Sequence, residues 1–199
     1  MPRVESYGER GLTLVDRLGV WLSTRAIKRH LPRGELDVLE LGCGYCATHL
    51  IALEDRVSHG VGVDVKIAPR LKNAERYTFY EGAIEEILPR LENSAMDLVL
   101  LISVLEHLAN PLTTLRSVHR IVKTSGVLLI NVPTWIGKTF LELSAFRFGL
   151  SPQLEIDDHK MYYNKRDLWP LLVRAGFKPS QIKLHYHKFG LNLFARVTK

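Results

Sequence analysis

Two glycines and two acids stand at the spacing of a nucleotide-binding site. Gly42 and Gly44 follow an apolar run that contains one acid, Glu40, and Asp64 ends the next apolar run, twenty residues after Gly44. An apolar run followed by alternate glycines predicts a buried strand that turns sharply into a helix and lets a ligand approach the bare backbone. A carboxylate at the end of the next strand can accept hydrogen bonds from a ribose diol. These residues therefore predict a cofactor that contains adenosine.

The glycine spacing alone does not identify the cofactor. Gly42-x-Gly44-x-x-Ala47 also fits the loose dinucleotide pattern, which allows alanine at its last place. Glu40 separates the two interpretations, because a carboxylate inside this strand can reach the ammonium of a bound amino-acid group. It has no obvious use beside a pyrophosphate. We therefore favour a cofactor with a methionine group over NAD(P).

Three segments resemble those of one enzyme family. Residues 37–47 resemble motif I of the class I S-adenosylmethionine-dependent methyltransferases, with Cys46 where many members have a third glycine. Residues 96–108, which end in Val-Leu-Glu-His-Leu, resemble the fourth strand of that family and its following turn, and residues 81–85 resemble the segment beside the adenine. This resemblance implies a Rossmann-like α/β fold, methyltransferase activity and S-adenosylmethionine as cofactor.

The resemblance also implies roles for individual residues. Gly42 and Gly44 would let the backbone approach the methionine end of the cofactor, and Glu40 would reach its ammonium. Asp64 would bind the ribose, and the adenine would be contacted by Val65, Ala83 and Ile84. The backbone of Ser103 would face the methyl-transfer region.

Three side chains could remove a proton from a methyl acceptor. His107 lies in the turn after the fourth predicted strand, while His159 and Tyr162 lie in a later irregular segment. Histidine is the side chain whose ordinary pKa suits a base near neutral pH. The alternatives are a hydrogen bond from His107 to a neighbouring helix and simple capping of a loop by His159 and Tyr162. We favour His107 slightly, and Asp157 or Asp158 could keep His159 basic and oriented.

The segment around His107 is also similar to that of ubiquinone-pathway O-methyltransferases, in which two glutamates and a histidine bind a metal. Ser103 stands where the first of those glutamates would be. We therefore predict no metal site.

The order of elements predicts the architecture. Apolar residues between positions 12 and 31 recur at near-helical spacing, which predicts an N-terminal helical cap over residues 1–34. Strands are expected near 36–41, 60–64, 77–80, 96–102 and 125–132, with helices near 46–54, 67–73, 84–91 and 111–123 between them. This alternation predicts a parallel sheet with right-handed crossovers and helices on both faces. Asn164 and Asp167 resemble a capping pair that opens a helix over residues 165–175.

Two features complete the predicted fold. Runs at 180–187 and 191–197 can form an antiparallel hairpin, and the family resemblance implies that it lies at the edge of a mostly parallel, seven-stranded sheet with the last strand beside strand five. The insertion at 134–163 is the predicted substrate lid, since loops beyond the carboxyl ends of strands bind ligands in open α/β sheets. We expect residues 1–199 to form one methyltransferase domain.

Composition narrows the classes of partner. The chain has a net charge of +6 and a pI near 9.4, but its basic residues are scattered and form no polybasic run. An ordinary basic surface is favoured, with an anionic substrate such as a nucleotide-sugar, a phosphorylated glycan or RNA as the alternative. Cys43 and Cys46 lack a second pair and are expected to pack rather than bind zinc. No apolar run has the length of a membrane span, so we expect a soluble cytoplasmic protein.

The sequence therefore predicts a methyltransferase that acts on a small molecule, with a hydroxyl as the favoured acceptor. Residues 157–177 resemble the tail of small bacterial methyltransferases associated with surface-glycan biosynthesis, so a glycan or related metabolite is the favoured substrate. The alternatives are an RNA methyltransferase, an NAD(P)-dependent oxidoreductase and a non-catalytic cofactor-binding protein. Neither an Asn-Pro-Pro-aromatic motif nor a catalytic-cysteine motif for RNA bases occurs, which makes nucleic acid the weaker alternative. The sequence makes no prediction about oligomeric state.

Overall fold

Seven strands form one sheet in the computed structural model, which describes residues 6–139 and 159–199. The strands are β1 (Leu36–Leu41), β2 (Val57–Asp64), β3 (Tyr77–Glu81), β4 (Met96–Ile102), β5 (Val122–Pro133), β6 (Ile182–His187) and β7 (Asn192–Thr198). Their order in the sheet is β3-β2-β1-β4-β5-β7-β6. Strands β1 to β5 pair in parallel, and β7 is antiparallel to both of its neighbours. The predicted topology, including the last strand beside strand five, is confirmed.

Helices cover both faces of this sheet. They are α1 (Leu14–Arg29), α2 (Thr48–Ile51), α3 (Ile84–Ile87), α4 (Pro111–Ile121) and α5 (Lys165–Arg174), and residues 135–139 are also helical. Apolar residues of α1 and α2, such as Ile27 and Leu50, pack on one face, while those of α3, α4 and α5 pack on the other. The strand interiors are buried on both sides, which explains the nearly continuous apolar run of β4.

Side chains define where the helices begin. Thr13 Oγ1 accepts a hydrogen bond from Asp16 N (3.2 Å) at the start of α1, and Asn110 Oδ1 accepts one from Thr113 N (3.2 Å) at the start of α4. The capping pair predicted for α5 is present, since Asn164 N donates to Asp167 Oδ2 at 2.8 Å. These bonds satisfy backbone N–H groups that have no partner inside the helix.

Several predicted boundaries differ from the structure, and tertiary contacts explain one of them. The helix expected near 67–73 is a short 3₁₀ helix, Pro69–Leu71, and the strand expected near 60–64 begins at Val57. The helix expected near 46–54 begins only at Thr48, because Ala47 has a left-handed backbone (φ 46°). The helix expected to reach residue 123 ends at Ile121, and β5 begins at once with Val122. Lys123 Nζ donates to Asp37 Oδ2 (2.8 Å) and to Asp97 Oδ2 (2.9 Å), which holds this stretch extended beside β4.

The predicted cap and lid are only partly described. Residues 6–10 form turns against the glycine loop, where Tyr45 N donates to Tyr7 O at 2.9 Å, and α1 follows them. Residues 1–5 of the cap and residues 140–158 of the lid, including Asp157 and Asp158, lie outside the described residues. Among the residues that are described, no helix is both long enough and apolar enough to cross a membrane.

The core on the α4 side can be tested by truncating one side chain. Leu115 is fully buried in α4, whereas its neighbour Arg116 is exposed. We expect Leu115→Ala to lower the free energy of unfolding by about 2–5 kcal/mol, because it removes buried apolar surface and leaves a cavity. Arg116→Ala should change it by less than about 0.5 kcal/mol. Urea unfolding of both variants provides the measurement, and equal effects would contradict the assigned packing.

Candidate functional site

The predicted site residues meet at the carboxyl edge of the parallel strands. Gly42 follows β1, Asp64 ends β2 and Ser103 follows β4. Because β2, β1 and β4 are neighbours in the sheet, these three positions lie side by side. Open α/β sheets bind ligands in the crevice outside this edge.

The glycine loop requires its two glycines. Gly42 and Gly44 have left-handed backbones (φ 68° and 74°). A Cβ atom on Gly42 would lie 2.4 Å from Val104 Cγ2, so a side chain there would collide with the turn after β4. Gly42 N and Cys43 N both donate to Val63 O, at 2.8 and 3.1 Å. Cys43 is buried, and burial raises the pKa of its thiol, which agrees with a packing role.

Asp64 connects three segments of the site. Its Oδ2 accepts a hydrogen bond from Gly44 N at 2.7 Å, and its Oδ1 accepts bonds from Val65 N at 2.8 Å and from Ser6 Oγ at 2.7 Å. Ser6 is buried, and sequence reasoning did not identify it. Nothing in the local sequence marks it, since it lies 58 positions from Asp64. The Asp64 carboxylate therefore already binds an alcohol, the same chemical group that a ribose presents.

Glu40 is buried beneath the glycine loop. Its side chain is 1% exposed, and its Oε2 accepts a hydrogen bond from Leu50 N at 2.9 Å in α2. Burial is the main reason that the pKa of Glu40 rises to about 8, and the nearby Asp64 charge raises it further. Glu40 thus carries a proton at neutral pH in this state. A cation placed next to it would favour the ionised form.

The residues predicted to contact adenine lie beside Asp64. Gly82 N donates to Asp64 O at 3.0 Å, which places the following Ala83 and Ile84 next to the end of β2. Ala83, Ile84 and Val65 are all half-buried. The structure therefore brings the predicted adenine residues to the Asp64 side of the glycine loop.

Ser103 is less available than predicted. It is exposed and has a left-handed backbone (φ 57°), but its N–H donates to Asn131 O at 2.8 Å. This amide is therefore already hydrogen-bonded within the sheet edge. Its predicted contact with the methyl-transfer region stays a prediction.

The sequence offers His107 and His159 as alternative bases, but the structure places them together. Their ring centroids are 4.7 Å apart, and His159 Nδ1 lies 3.1 Å from the hydroxyl of Tyr162. The segment after His159 binds the turn after β4, since Lys160 N and Met161 N donate to Glu106 O at 2.7 and 3.3 Å. We call Glu106, His107, His159 and Tyr162 the histidine cluster.

Two side chains of the histidine cluster are more buried than those of an ordinary surface loop. Tyr162 is 5% exposed and packs against Trp135, with ring centroids 5.7 Å apart. Glu106 is also buried, and its side chain is a part of the site that sequence reasoning did not select, although it stands within the Val-Leu-Glu-His-Leu segment.

The cluster contains donor types that a metal ion accepts. Ligand atoms of Glu106, His107 and His159 all lie within 4.8 Å of one another. One carboxylate and two imidazoles suit zinc and related divalent cations. The predicted absence of a metal stays a prediction.

Comparisons with known proteins agree on one fold. A sequence model of the family described as "Methyltransferase domain" matches residues 14–182. A structure of an S-adenosylmethionine-dependent methyltransferase from Archaeoglobus fulgidus superposes with a TM-score of 0.70 at 16% identity, covering 96% of each chain. A second such enzyme, from Mesorhizobium loti, superposes with a TM-score of 0.64 at 15% identity, covering 88% of this chain and 96% of the other. No curated protein sequence gives a significant match.

The buried Glu40 predicts a specific dependence of stability on pH. The folded protein keeps a proton on Glu40 up to about pH 8, whereas the unfolded chain releases it near the ordinary value of 4.5. The stabilisation that this proton provides is therefore complete below the pKa of Glu40 in the unfolded chain. It is lost as the pH rises through the pKa of Glu40 in the folded protein, and the free energy of unfolding falls by up to ~1.4 kcal/mol per pH unit. We expect Glu40→Gln to remove this part of the pH dependence of the free energy of unfolding, measured by urea unfolding of the unliganded protein at a series of pH values.

The exposed Glu35, which immediately precedes β1, provides the matched control. Glu35→Gln should leave the pH dependence as in the wild type. If the free energies of unfolding of the Glu40→Gln variant and the wild type change in parallel between about pH 5 and about pH 8, Glu40 does not carry the proton assigned to it.

Proposed function

Because the chain belongs to the methyltransferase domain family and is an S-adenosylmethionine-dependent enzyme, we propose that it methylates a hydroxyl group of a small molecule. The histidine cluster carries this proposal. It supplies two imidazoles beside the end of β4, and an alcohol has to lose a proton when it accepts a methyl group.

The residues at the carboxyl edge fit the cofactor. Asp64 accepts a hydrogen bond from an alcohol in this structure, so it could accept the same bond from a ribose. Gly42 and Gly44 form the tight left-handed turn beside which the methionine end would lie, and Glu40 would pair with its ammonium. When bound, S-adenosylmethionine supplies a methyl group that its sulfonium already activates. The protein then mainly has to bind, align and exclude water.

His107 and His159 would share the proton chemistry. Histidine takes up a proton near neutral pH without any special environment. The Tyr162 hydroxyl, 3.1 Å from His159 Nδ1, would hold the second ring in a fixed orientation. The hydrogen bonds from Lys160 N and Met161 N to Glu106 O keep the two histidines adjacent, so one can receive the proton while the other contacts the acceptor.

A glycan or related metabolite is the proposed acceptor. The support is the resemblance of residues 157–177 to glycan-associated methyltransferases, of which residues 159–177 are described. The net charge of +6 would also favour an acceptor that carries acidic groups. Transfer from labelled S-adenosylmethionine should be measured with hydroxylated sugars, the matching amino sugars and RNA. Methylation of RNA alone, or of amines alone, would contradict the proposal.

The proposed ribose contact can be tested at Asp64. We expect Asp64→Asn to weaken binding of S-adenosylhomocysteine by about 1.5–3 kcal/mol, because the amide lacks the charge that strengthens the hydrogen bonds to the diol. Asp64→Ala should weaken it at least as much. Ser6→Ala, which removes only the competing alcohol, should leave affinity equal or higher. Calorimetric titration checks all three, and unchanged affinity in both Asp64 variants would show that Asp64 does not hold the ribose.

The proposed base can be tested within the histidine cluster. We expect His107→Gln or His159→Gln to lower turnover by roughly 10²–10⁴-fold, while affinity for S-adenosylhomocysteine stays nearly intact. Steady-state kinetics on an acceptor found in the screen provide the measurement. His59→Gln is the control, since His59 is exposed on β2.

The Tyr162→Phe variant separates orientation from proton transfer. It should lower kcat less than His159→Gln does, because it keeps the imidazole and removes only the hydroxyl beside it. Wild-type turnover in both histidine variants would mean that the acceptor needs no base from this cluster.

A further inference from the structure

The turn between β6 and β7 has a backbone that ordinary side chains rarely adopt. Lys188, Phe189 and Gly190 have φ values of 49°, 59° and 87° in succession. Left-handed conformations are unfavourable for residues other than glycine, and they persist where the surrounding structure requires them. Phe189 is fully exposed, so the turn does not serve to bury it. The conformation instead directs the Lys188 side chain toward α1.

Buried contacts fix this turn in place. Thr134 is fully buried, its N–H donates to Leu191 O at 2.9 Å, and its hydroxyl donates to Gly190 O at 2.8 Å. A Cβ atom on Gly137 would lie only 2.1 Å from Leu191 O, so a glycine is required there. Gly137 N donates to Thr134 Oγ1 at 3.0 Å. The end of β5 and the residues that follow it therefore fix the position of Lys188.

The ammonium of Lys188 lies between three elements of the site. Its Nζ is 3.8 Å from the position that a Cβ atom would take on Gly19, in α1. It also interacts electrostatically with His49 in α2 and with Glu106 of the histidine cluster. Removal from water lowers the pKa of Lys188 to about 8.

The Lys188 ammonium has no hydrogen-bond acceptor in the part of the chain that the structure describes. None of the hydrogen bonds and ion pairs within residues 6–139 and 159–199 involves Lys188 Nζ, and Glu106 affects it only through space. Lys188 as a whole residue is half-buried, and a cation that has lost much of its water without gaining a hydrogen-bond acceptor destabilises a protein. Such a group is expected where a ligand supplies the missing acceptor.

A buried amide lies on the same side of the sheet. Asn131 is fully buried in β5, and neither its Oδ1 nor its Nδ2 has a hydrogen-bond partner among the described residues. Val127 and Leu129 pack in the core with Ile27 of α1, and side chains alternate along a strand, so Asn131 also faces the α1 side. This side of the carboxyl edge therefore contains a cationic and an amide donor that the described residues do not satisfy.

We propose that Lys188 anchors an anionic oxygen group, a carboxylate or a phosphate, bound between α1, α2 and the turn after β4. Two molecules could supply it. One is the cofactor, through the carboxylate of its amino-acid end, and the other is an acceptor that carries an acidic group. The inference rests on the methyl-transfer site proposed above, but binding alone can test it.

Lys188→Met removes the charge and keeps an apolar chain of similar length, while Lys188→Arg keeps the charge. Lys183→Met is the matched control, because Lys183 is exposed on the same strand pair. Calorimetry should compare S-adenosylhomocysteine with 5′-methylthioadenosine, which lacks the amino-acid group. A third titration should add inorganic phosphate to protein saturated with S-adenosylhomocysteine.

If the cofactor supplies the anion, Lys188→Met should weaken S-adenosylhomocysteine binding by about 10–100-fold and leave 5′-methylthioadenosine unchanged. If the acceptor supplies it, Lys188→Met should abolish phosphate binding and leave both nucleosides unchanged. In either case Lys188→Arg should retain most of the affinity and Lys183→Met all of it. The melting temperature of the unliganded Lys188→Met variant should rise, because a desolvated cation has been removed.

Three results would overturn the proposal. They are unchanged affinity for every probe, equal weakening of both nucleosides, and a lower melting temperature of the unliganded variant, which would indicate a structural role. Failure of wild-type protein to bind S-adenosylhomocysteine would instead count against the proposed function, so the two failures can be distinguished.

Discussion

The carboxylate of Asp64 is the interaction on which the rest of the site depends. It accepts hydrogen bonds from Gly44 N in the glycine loop, from Val65 N after β2 and from Ser6 Oγ in the N-terminal segment. One side chain thereby fixes the loop that follows β1 relative to the end of β2, and it draws the N-terminal residues over both. A bidentate contact with a ribose would have to share or replace the Ser6 bond, because each carboxylate oxygen accepts only about two hydrogen bonds. With the ribose held by Asp64 as proposed, binding of the cofactor and the position of the N-terminal segment would be coupled at this one carboxylate.

Three ionisable groups near the carboxyl edge of the sheet have lost much of their contact with water. Burial raises the pKa of Glu40 to about 8, lowers that of His49 to about 4 and lowers that of Lys188 to about 8. Each shift means that the folded protein holds the group in its neutral form more readily than water would. Such an arrangement costs stability in the unliganded state, and the cost is recovered when a ligand supplies the opposite charge. The zwitterionic end of an amino-acid-bearing cofactor presents both an ammonium and a carboxylate. The proposals above pair Glu40 with that ammonium, and pair Lys188 with that carboxylate or with an acidic group of the acceptor.

The second half of the site depends on backbone contacts between distant segments. Lys160 N and Met161 N donate to Glu106 O, which fastens the residues after the insertion to the turn after β4. That contact brings His159 next to His107 and encloses Tyr162 against Trp135. Because the bonds involve backbone atoms, many side chains could occupy these positions without changing the approach of the two segments. The identity of the side chains then determines the chemistry, which here is that of paired imidazoles beside a buried carboxylate.

Local patterns in the sequence determined the order of strands and helices, the glycine loop and the acids at positions 40 and 64. Apolar runs, left-handed glycines and capping residues each act within a few positions, so these features could be predicted without the fold. Only the tertiary structure decided which residues share the site. Ser6 reaches Asp64 across 58 positions, Lys160 reaches the turn at His107 across 53, and Lys188 enters from a hairpin with no motif of its own. The same reason explains why β5 begins at Val122, since Lys123 is held by Asp37 and Asp97 of two other strands. Contacts of this kind arise from the packing of separate segments, which leaves no periodic trace in the sequence.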